Sequence, residues 1–466
     1  MKWETVIGLE VHAELSTKTK IFCGCSAGFG TVPNTHVCPI CVGMPGTLPK
    51  LNRAVVEYAI RLGLALDCNI ADVCRFDRKN YFYPDLPKAH QLSQLHAPIC
   101  KGGKLGKIRI HQIHMEEDAG KLLHDTKSGK TFMDFNRSGV PLLEIVSEPD
   151  FRSAEDVIEY LTNLRETLLY LDICDCKMQE GSLRADINLS IRPVGADGKL
   201  GTRTETKNLN SFKAISRAIE YENERQIDIL EDGGKIIQET RRWDDEIGES
   251  YAMRSKANAQ DYRYFPCPDL FPIQIDEAWL KQVKDSLPEL AHQKRERYTS
   301  DFGISAVDAG VLTSHKNISN LFEELCQKSS QPRESANLVT GEIMRLLGDP
   351  EDLGVDVDKL AALIKLVMDG KINRNAYKET VTAVYSNNVD PENYIRENNL
   401  LMVKDEGAVK TVVEAAIANN PKAVEEYKSG KDKAFQFLVG QCMKALRGAG
   451  DPASVREMLK SLLDGK

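Results

Sequence analysis

In TVIGLEVHAEL, 5–15, apolar and polar positions alternate from Ile7 onward. In an extended chain Ile7, Leu9, Val11, Ala13 and Leu15 therefore share one side, and Glu10, His12 and Glu14 the other. SLRADINLSIRP, 182–193, repeats the arrangement, setting Leu183, Ala185, Ile187, Leu189 and Ile191 against Arg184, Asp186, Asn188, Ser190 and Arg192. GTRTETKNLN groups Arg203, Glu205 and Lys207, and PLLEIVSEPD aligns Glu144 with Glu148. HMEEDAGK adds Glu116, Glu117 and Asp118 beside Lys121. Helical spacing appears in SAEDVIEYLTNLRETLLYLDI, opened by a Ser153/Asp156 capping box, and in SFKAISRAIEYENERQIDIL, stopped by Gly233 and Gly234. DKLAALIKLVMDG is helical to its cap at Gly370.

Strands cluster apart from helices in the first 290 residues, which predicts an α+β fold built on an antiparallel sheet. From 294 onward the pattern is helical. Near the end, Asn420-Pro421 and Asp451-Pro452 read as N-caps followed by proline, and Phe435, Leu438, Val439, Cys442 and Leu446 form a stripe that Gly448 ends. At 466 residues the chain is too long for one core. Three domains are expected: 1–293 mixed, 294–404 helical, and 405–466 a small helical tail.

If the alternating strands pair, one sheet face is apolar and the other collects carboxylates, a histidine, arginines and lysines. Two carboxylates about 4 Å apart repel by roughly 4 kcal/mol at an effective dielectric near 20, so such a face calls for a cation. Magnesium suits carboxylate oxygens and keeps positions for water or phosphate. Glu10 and His12, two residues apart on one strand, are expected to lean onto one ion. The commonest phosphate cradle is excluded, because SGKT at 128–131 has His124 where a P-loop needs glycine, and no GxGxxG occurs. Two aromatic, proline-stiffened loops offer cations to such a site: DRKNYFYPDLPK holds Arg78, Lys79 and Lys88, and QDYRYFPCPDLFP holds Arg263.

FCGCSAGFGTVPNTHVCPIC places Cys23 and Cys25, then Cys38 and Cys41, as two thiol pairs about a turn-rich loop. That spacing suits a structural tetrahedral zinc, with His36 as an alternative ligand. The other cysteines read as reduced thiols. The acid in MKWETVIGLEV sits where a signal peptide needs its apolar centre, and no apolar run reaches a membrane span, so a cytosolic protein is expected. The net charge of −8 restricts any nucleic-acid contact to a local patch.

IGLEVHAEL, DRKNYFYPDLPKAHQLSQ, HMEEDAGK, NRSGVPLLEIVSEPD, EGSLRADINLSIRP, ETKNLNSF, DYRYFPCPDL and FLVGQCMKALRG together resemble the B subunits of the glutamyl/aspartyl-tRNA amidotransferases, across essentially the whole chain. The resemblance implies a carboxylate-lined cradle of the glutamine synthetase type. It implies ATP-dependent phosphorylation, then amidation, of Glu or Asp misacylated on tRNA(Gln) or tRNA(Asn). Ammonia would come from a separate amidase (A) subunit through a channel, with a small C subunit clasping the two. Carried over by motif, Glu10, His12, Glu117 and Glu205 would hold Mg2+, with Glu116 the alternative to Glu117 within HMEED, and Lys79, Lys88 and Arg263 would meet phosphate or substrate carboxylate. Lys431, Lys433, Lys444 and Arg447 flank the tail stripe and are the candidates for tRNA phosphates. The chain departs from the family pattern at His90, where tyrosine is usual, and at Cys267, where glutamate is usual. Rival readings are a free-standing ATP-dependent carboxylate–ammonia ligase, which has no use for the helical carboxyl-terminal third, and a zinc-braced RNA scaffold, which the acidic face would repel.

Overall fold

The computed structural model describes residues 2–196, 198–255, 262–348, 350, 353–402, 406–446 and 451–464. It divides into two compact units, Met1–Leu290 and Ala291–Lys466.

The first unit is built on a ten-stranded sheet. In chain order its strands are β1 (Trp3–Glu14), β2 (Asn69–Ile70), β3 (Cys100–Lys101), β4 (Lys104–Leu105), β5 (Ile108–Glu117), β6 (Pro141–Ser147), β7 (Leu183–Pro193), β8 (Thr204–Lys207), β9 (Glu239–Asp244) and β10 (Glu249–Ser255). They lie in the order β10-β9-β8-β7-β1-β6-β5-β3-β2, with β4 beside β5. The amino-terminal strand is thus central, flanked by β6 and β7. The expectation of an antiparallel sheet fails at one pair: β8 and β9 run parallel. The cause is the 20-residue helix between them, since a parallel return needs a crossover that a helix of this length supplies.

Three helices, α1 (Arg53–Ala65), α2 (Ala154–Tyr170) and α3 (Phe212–Glu231), cover the apolar side. Each starts where a side-chain oxygen takes up an orphan amide: Asn52 accepts from Ala54 N, Ser153 from Asp156 N, and Ser211 from Ala214 N. Gly233, at φ +75°, makes the turn that ends α3. Ile7, Leu9, Val11 and Ala13 are fully buried under this layer with Ile187 and Leu189. Apolar burial on one side therefore fixes which residues remain for the other.

A bulge interrupts β5. Val146 faces Gln112 while Ser147 faces Ile110, so His111 is an extra residue and the alternation of β5 changes phase there. A separate three-stranded sheet of Asp77–Asn80, His90–Ser93 and Phe265–Pro266 packs its His90–Ser93 strand against β5. The stretch read as a loop at 77–88 thus begins as a strand.

The second unit is helical from Ala291. Its buried residues form two separate clusters, one running from Tyr298 to Ile395 and the other from Val409 to Leu463. Leu438, Val439 and Cys442 of the tail stripe are buried in the latter, and Gly448 lies outside the described residues. Asp451 caps its helix through Ala453 N and Ser454 N. Asn420 does not cap; its amide turns back to donate to Ala416 O at 2.8 Å. Among the described residues no helix is long and apolar enough to cross a membrane.

Candidate active site

The polar face of the central strands lines a cavity of about 460 Å³. Strand register decides who meets there. His12 on β1 stands opposite Glu144 on β6, which stands opposite His114 on β5. One row along, Glu10 stands opposite Asp186 on β7, and Asn188 on β7 stands opposite Glu205 on β8.

Two groups of potential cation ligands result, each with its ligand atoms within 4.8 Å of one another: Glu10, Asp186 and Glu205; and His12, Glu116 and Glu144. The motif-based expectation gathers Glu10, His12, Glu117 and Glu205 about one ion. The structure instead divides Glu10 and His12 between two groups and brings Glu116, not Glu117, to the second. The reason is the bulge. Ile108 and Ile110 bury toward the helices, but past His111 it is Ile113 and Met115 that do so, which leaves His114 and Glu116 on the polar face and turns Glu117 away. Glu117 is instead clamped by Lys88 Nζ at 2.5 and 2.6 Å and by Leu92 N at 2.9 Å.

The electrostatics of each group follow from burial and neighbours. Burial, with Glu144 and Glu205 nearby, raises the Glu10 carboxyl above its ordinary value. Asn188 Nδ2 donates to Glu10 at 3.0 Å, while the buried Asn188 Oδ1 has no hydrogen-bond partner among the described residues. Three carboxylates beside an orphaned acceptor oxygen form an all-oxygen donor set, which fits magnesium. In the other group burial alone would raise Glu144, but His114 at 2.9 Å and His12 at 3.6 Å hold it well below the usual carboxylate range. Burial opposes the charge on His114, yet Glu144 pushes its pKa up to about 9. Glu116 is raised, by burial and then by Glu144, and accepts from Ser93 Oγ at 2.8 Å and from Gln91.

Of the three expected phosphate ligands, one reaches the cavity. Lys79 projects into it between Tyr262 and Tyr81, with its ammonium 5.2 and 5.7 Å from their ring centres. Burial disfavours its charge, but Glu116 and the neighbouring tyrosine and Glu144 side chains keep its pKa above the ordinary lysine value. Lys88 is committed to Glu117 and lines a separate hollow of about 170 Å³ with Arg78, His90 and Cys267. Arg263 is exposed and does not line the cavity, because Tyr262 and Tyr264 on either side of it turn inward. Lys207 and Arg203 line the cavity instead, and Lys207 pairs with Asp186 and, at 3.3 Å, with Glu205. Alternation along the strands already puts Glu144, Asp186, Arg203 and Lys207 on polar faces. His114 escapes sequence reasoning because the phase change in β5 leaves no such signal.

The four cysteines converge. Cys41 Sγ lies 3.4, 3.6 and 3.8 Å from the sulfurs of Cys23, Cys38 and Cys25. Tetrahedral Zn–S bonds of about 2.3 Å place sulfurs about 3.8 Å apart, so the knot fits that metal. His36 stands outside the group, its Nδ1 near Thr31 Oγ1. The buried Lys20 brings its ammonium to 3.6 Å from Cys41 Sγ, a cation beside clustered thiols.

In the tail, Lys431, Lys433 and Lys444 are exposed, and Arg447 lies outside the described residues. Lys431 pairs with Glu426 at 3.3 Å. Lys433 lines a shallow hollow with Lys422 and the half-exposed Phe437.

Residues 5–281 match the family model of the GatB/GatE catalytic domain, and residues 320–463 that of the GatB domain. Three relatives are named as the B subunits of aspartyl/glutamyl-tRNA(Asn/Gln) amidotransferases. That of Lachnoclostridium phytofermentans is 56% identical over 473 residues, covering 99% of each chain. That of Lachnospira eligens is 53% identical over 480 residues, again covering 99% of each. The Caldicellulosiruptor bescii protein is 52% identical over 479 residues and covers both chains fully. With the whole length matched and the motif-bearing strands meeting at one cavity, the chain belongs to the family of aspartyl/glutamyl-tRNA(Asn/Gln) amidotransferase B subunits.

Proposed function

We propose that the first unit uses ATP and magnesium to amidate the side-chain carboxylate of Glu or Asp misacylated on tRNA(Gln) or tRNA(Asn). The observation that carries this reading is the convergence of Glu10, Asp186 and Glu205, with His12 and Glu144 beside them, in one cavity with Lys79. A carboxylate oxygen attacks the γ-phosphorus and ADP leaves; ammonia then attacks the acyl carbon and phosphate leaves. Magnesium, when bound, neutralises charge on the phosphate oxygens. The chain's own groups position the reactants. Lys79, rigidly framed by Tyr81 and Tyr262, offers a fixed positive charge to the substrate carboxylate or the γ-phosphate. His114 and His12 hold Glu144 ionised. The Lys88–Glu117 pair stands behind the face and fixes the strand end that carries Glu116.

Ammonia comes from an amidase (A) subunit, with a small C subunit completing a cytoplasmic complex. The names of the relatives support a multi-subunit assembly, and the carboxylate-lined sheet supports kinship with the glutamine synthetase type of cradle. Domains of 1–293, 294–404 and 405–466 suit a catalytic cradle, a helical linker and a tail that meets tRNA through Lys431, Lys433, Lys444 and Arg447. Zinc in the Cys23, Cys25, Cys38 and Cys41 knot braces the loop that follows β1.

The test is amidation by the full chain with its amidase partner, glutamine, ATP, magnesium and Glu-tRNA(Gln) or Asp-tRNA(Asn). The expected result is tRNA-dependent ATP cleavage with formation of Gln-tRNA or Asn-tRNA. Amidation of a free acid without tRNA overturns the proposal in favour of a simple ligase, and absence of turnover in the full complex favours a scaffold.

A further inference from the structure

Strand register extends the acidic centre into a line that the motifs do not reveal. Glu10 on β1 faces Asp186 on β7. Asp186 pairs with Lys207 on β8, Lys207 faces Arg242 on β9, and Arg242 faces Tyr251 on β10. Residues directly opposite on paired strands project from the same sheet face. The neighbours of Arg242 confirm its direction, because they point toward the helices: Trp243 packs against Tyr221 of α3 at 5.9 Å, and Arg241 reaches Glu222 of α3 at 3.6 Å. Arg242 is exposed and has no ion-pair partner among the described residues, whereas Arg241 and Lys207 are both paired. Tyr251 leaves 47% of its surface exposed beside it.

The order along this line is carboxylates, two cations, then an aromatic ring. Three strand steps of about 4.8 Å separate Asp186 from Tyr251, roughly 14 Å in all, a span an extended nucleoside triphosphate can cover. A guanidinium without an ion-pair partner among the described residues is suited to forked bonds with phosphate oxygens, and a tyrosine ring to stacking on a base. We infer that Arg242 and Tyr251 complete the nucleotide site, Arg242 gripping a phosphate beside Lys207 and Tyr251 stacking on the base. The triphosphate end lies over Glu10 and Asp186, and the nucleoside points to the β10 edge. This rests on the ATP-dependent reading given above.

The test measures binding of a non-hydrolysable ATP analogue with magnesium to the full chain by calorimetry, for wild type, Arg242→Ala, Arg242→Lys, Tyr251→Ala and Tyr251→Phe. Thermal melts accompany each to verify folding. Arg242→Ala is expected to weaken binding about tenfold, with partial recovery in Arg242→Lys. Tyr251→Ala is expected to weaken it about fivefold, with Tyr251→Phe near wild type because the ring remains. Wild-type binding retained in both alanine variants overturns this inference alone, and a raised KM for aminoacyl-tRNA in those variants reassigns the row to RNA. Failure of the wild type to bind the analogue overturns the ATP reading and this inference with it.

Discussion

The polar face of the first unit and the basic residues of the tail are both rich in charge, yet they are built in opposite ways. On the sheet, Glu10, Asp186 and Glu205 come from three strands spread over nearly 200 positions and meet within 4.8 Å, partly or fully buried. On the tail helices, Lys431, Lys433 and Lys444 lie close in sequence, are exposed, and in one case already have an acidic neighbour. Convergence of buried like charges costs free energy and calls for a ligand to offset it. A solvated lysine costs little and specifies little alone. The difference teaches that charge density in the sequence is a weak guide to a site, and that strand-to-strand convergence is a strong one.

The contrast fails most severely if the sheet carboxylates prove dispensable. Glu10→Gln and Glu205→Gln are each expected to lower kcat for amidation about 1,000-fold, since a bound cation supplies several kcal/mol of charge stabilisation. Retained melting temperature in the same variants shows that the loss is chemical rather than structural. A smaller effect separates the two adjacent glutamates. Glu117→Gln strands the ammonium of Lys88, whose side chain is 14% exposed, and is expected to lower unfolding free energy by about 3 kcal/mol in denaturant titration. Glu116→Gln is expected to act mainly on kcat.

A third prediction concerns the hollow behind the face. His90 is pushed down to about 4 from 6.5 by burial and by the Lys88 and Arg78 charges. Between those two values the unfolded chain binds a proton that the folded chain refuses, so the stability due to neutral His90 is present above about pH 6.5 and lost as pH falls toward 4. His90→Tyr is expected to remove about 1 kcal/mol of this acid sensitivity after allowance for solvent screening, read as melting temperature against pH relative to wild type. The smallest effect belongs to the tail. Lys433→Ala is expected to weaken tRNA binding less than about threefold and to reduce the slope of log affinity on log salt by about 0.7 to 0.9.

Much of this is legible in the residues, but unevenly. Alternation in β1 and β7 identifies both faces correctly, because each strand keeps one phase along its length and its buried side is uniformly apolar. Helix starts at Ser153 and Ser211 are readable because capping is local. Pairing order is not, since nothing in β1 says that β6 and β7 will flank it. The Glu116/Glu117 choice turns on a bulge one strand away, where Ser147 and Ile110 shift register. Arg263 and Lys88 are plausible by type alone; their directions depend on Tyr262, Tyr264 and Glu117, which only tertiary packing brings into play. Cys23, Cys25, Cys38 and Cys41 are the easiest to read, because a short turn-rich loop leaves two thiol pairs few ways to avoid each other.

The amidation proposed for the first unit depends on one physical claim, that Glu10, Asp186 and Glu205 together hold a divalent cation for ATP. Titrating the full chain with Mn2+ in the presence of ATP, and reading free Mn2+ by electron paramagnetic resonance, tests it most directly. The expected result is saturable binding that weakens by about tenfold or more in Glu10→Gln, Asp186→Asn and Glu205→Gln but stays unchanged in folded Glu117→Gln. Wild-type affinity in all three polar-face variants would contradict it.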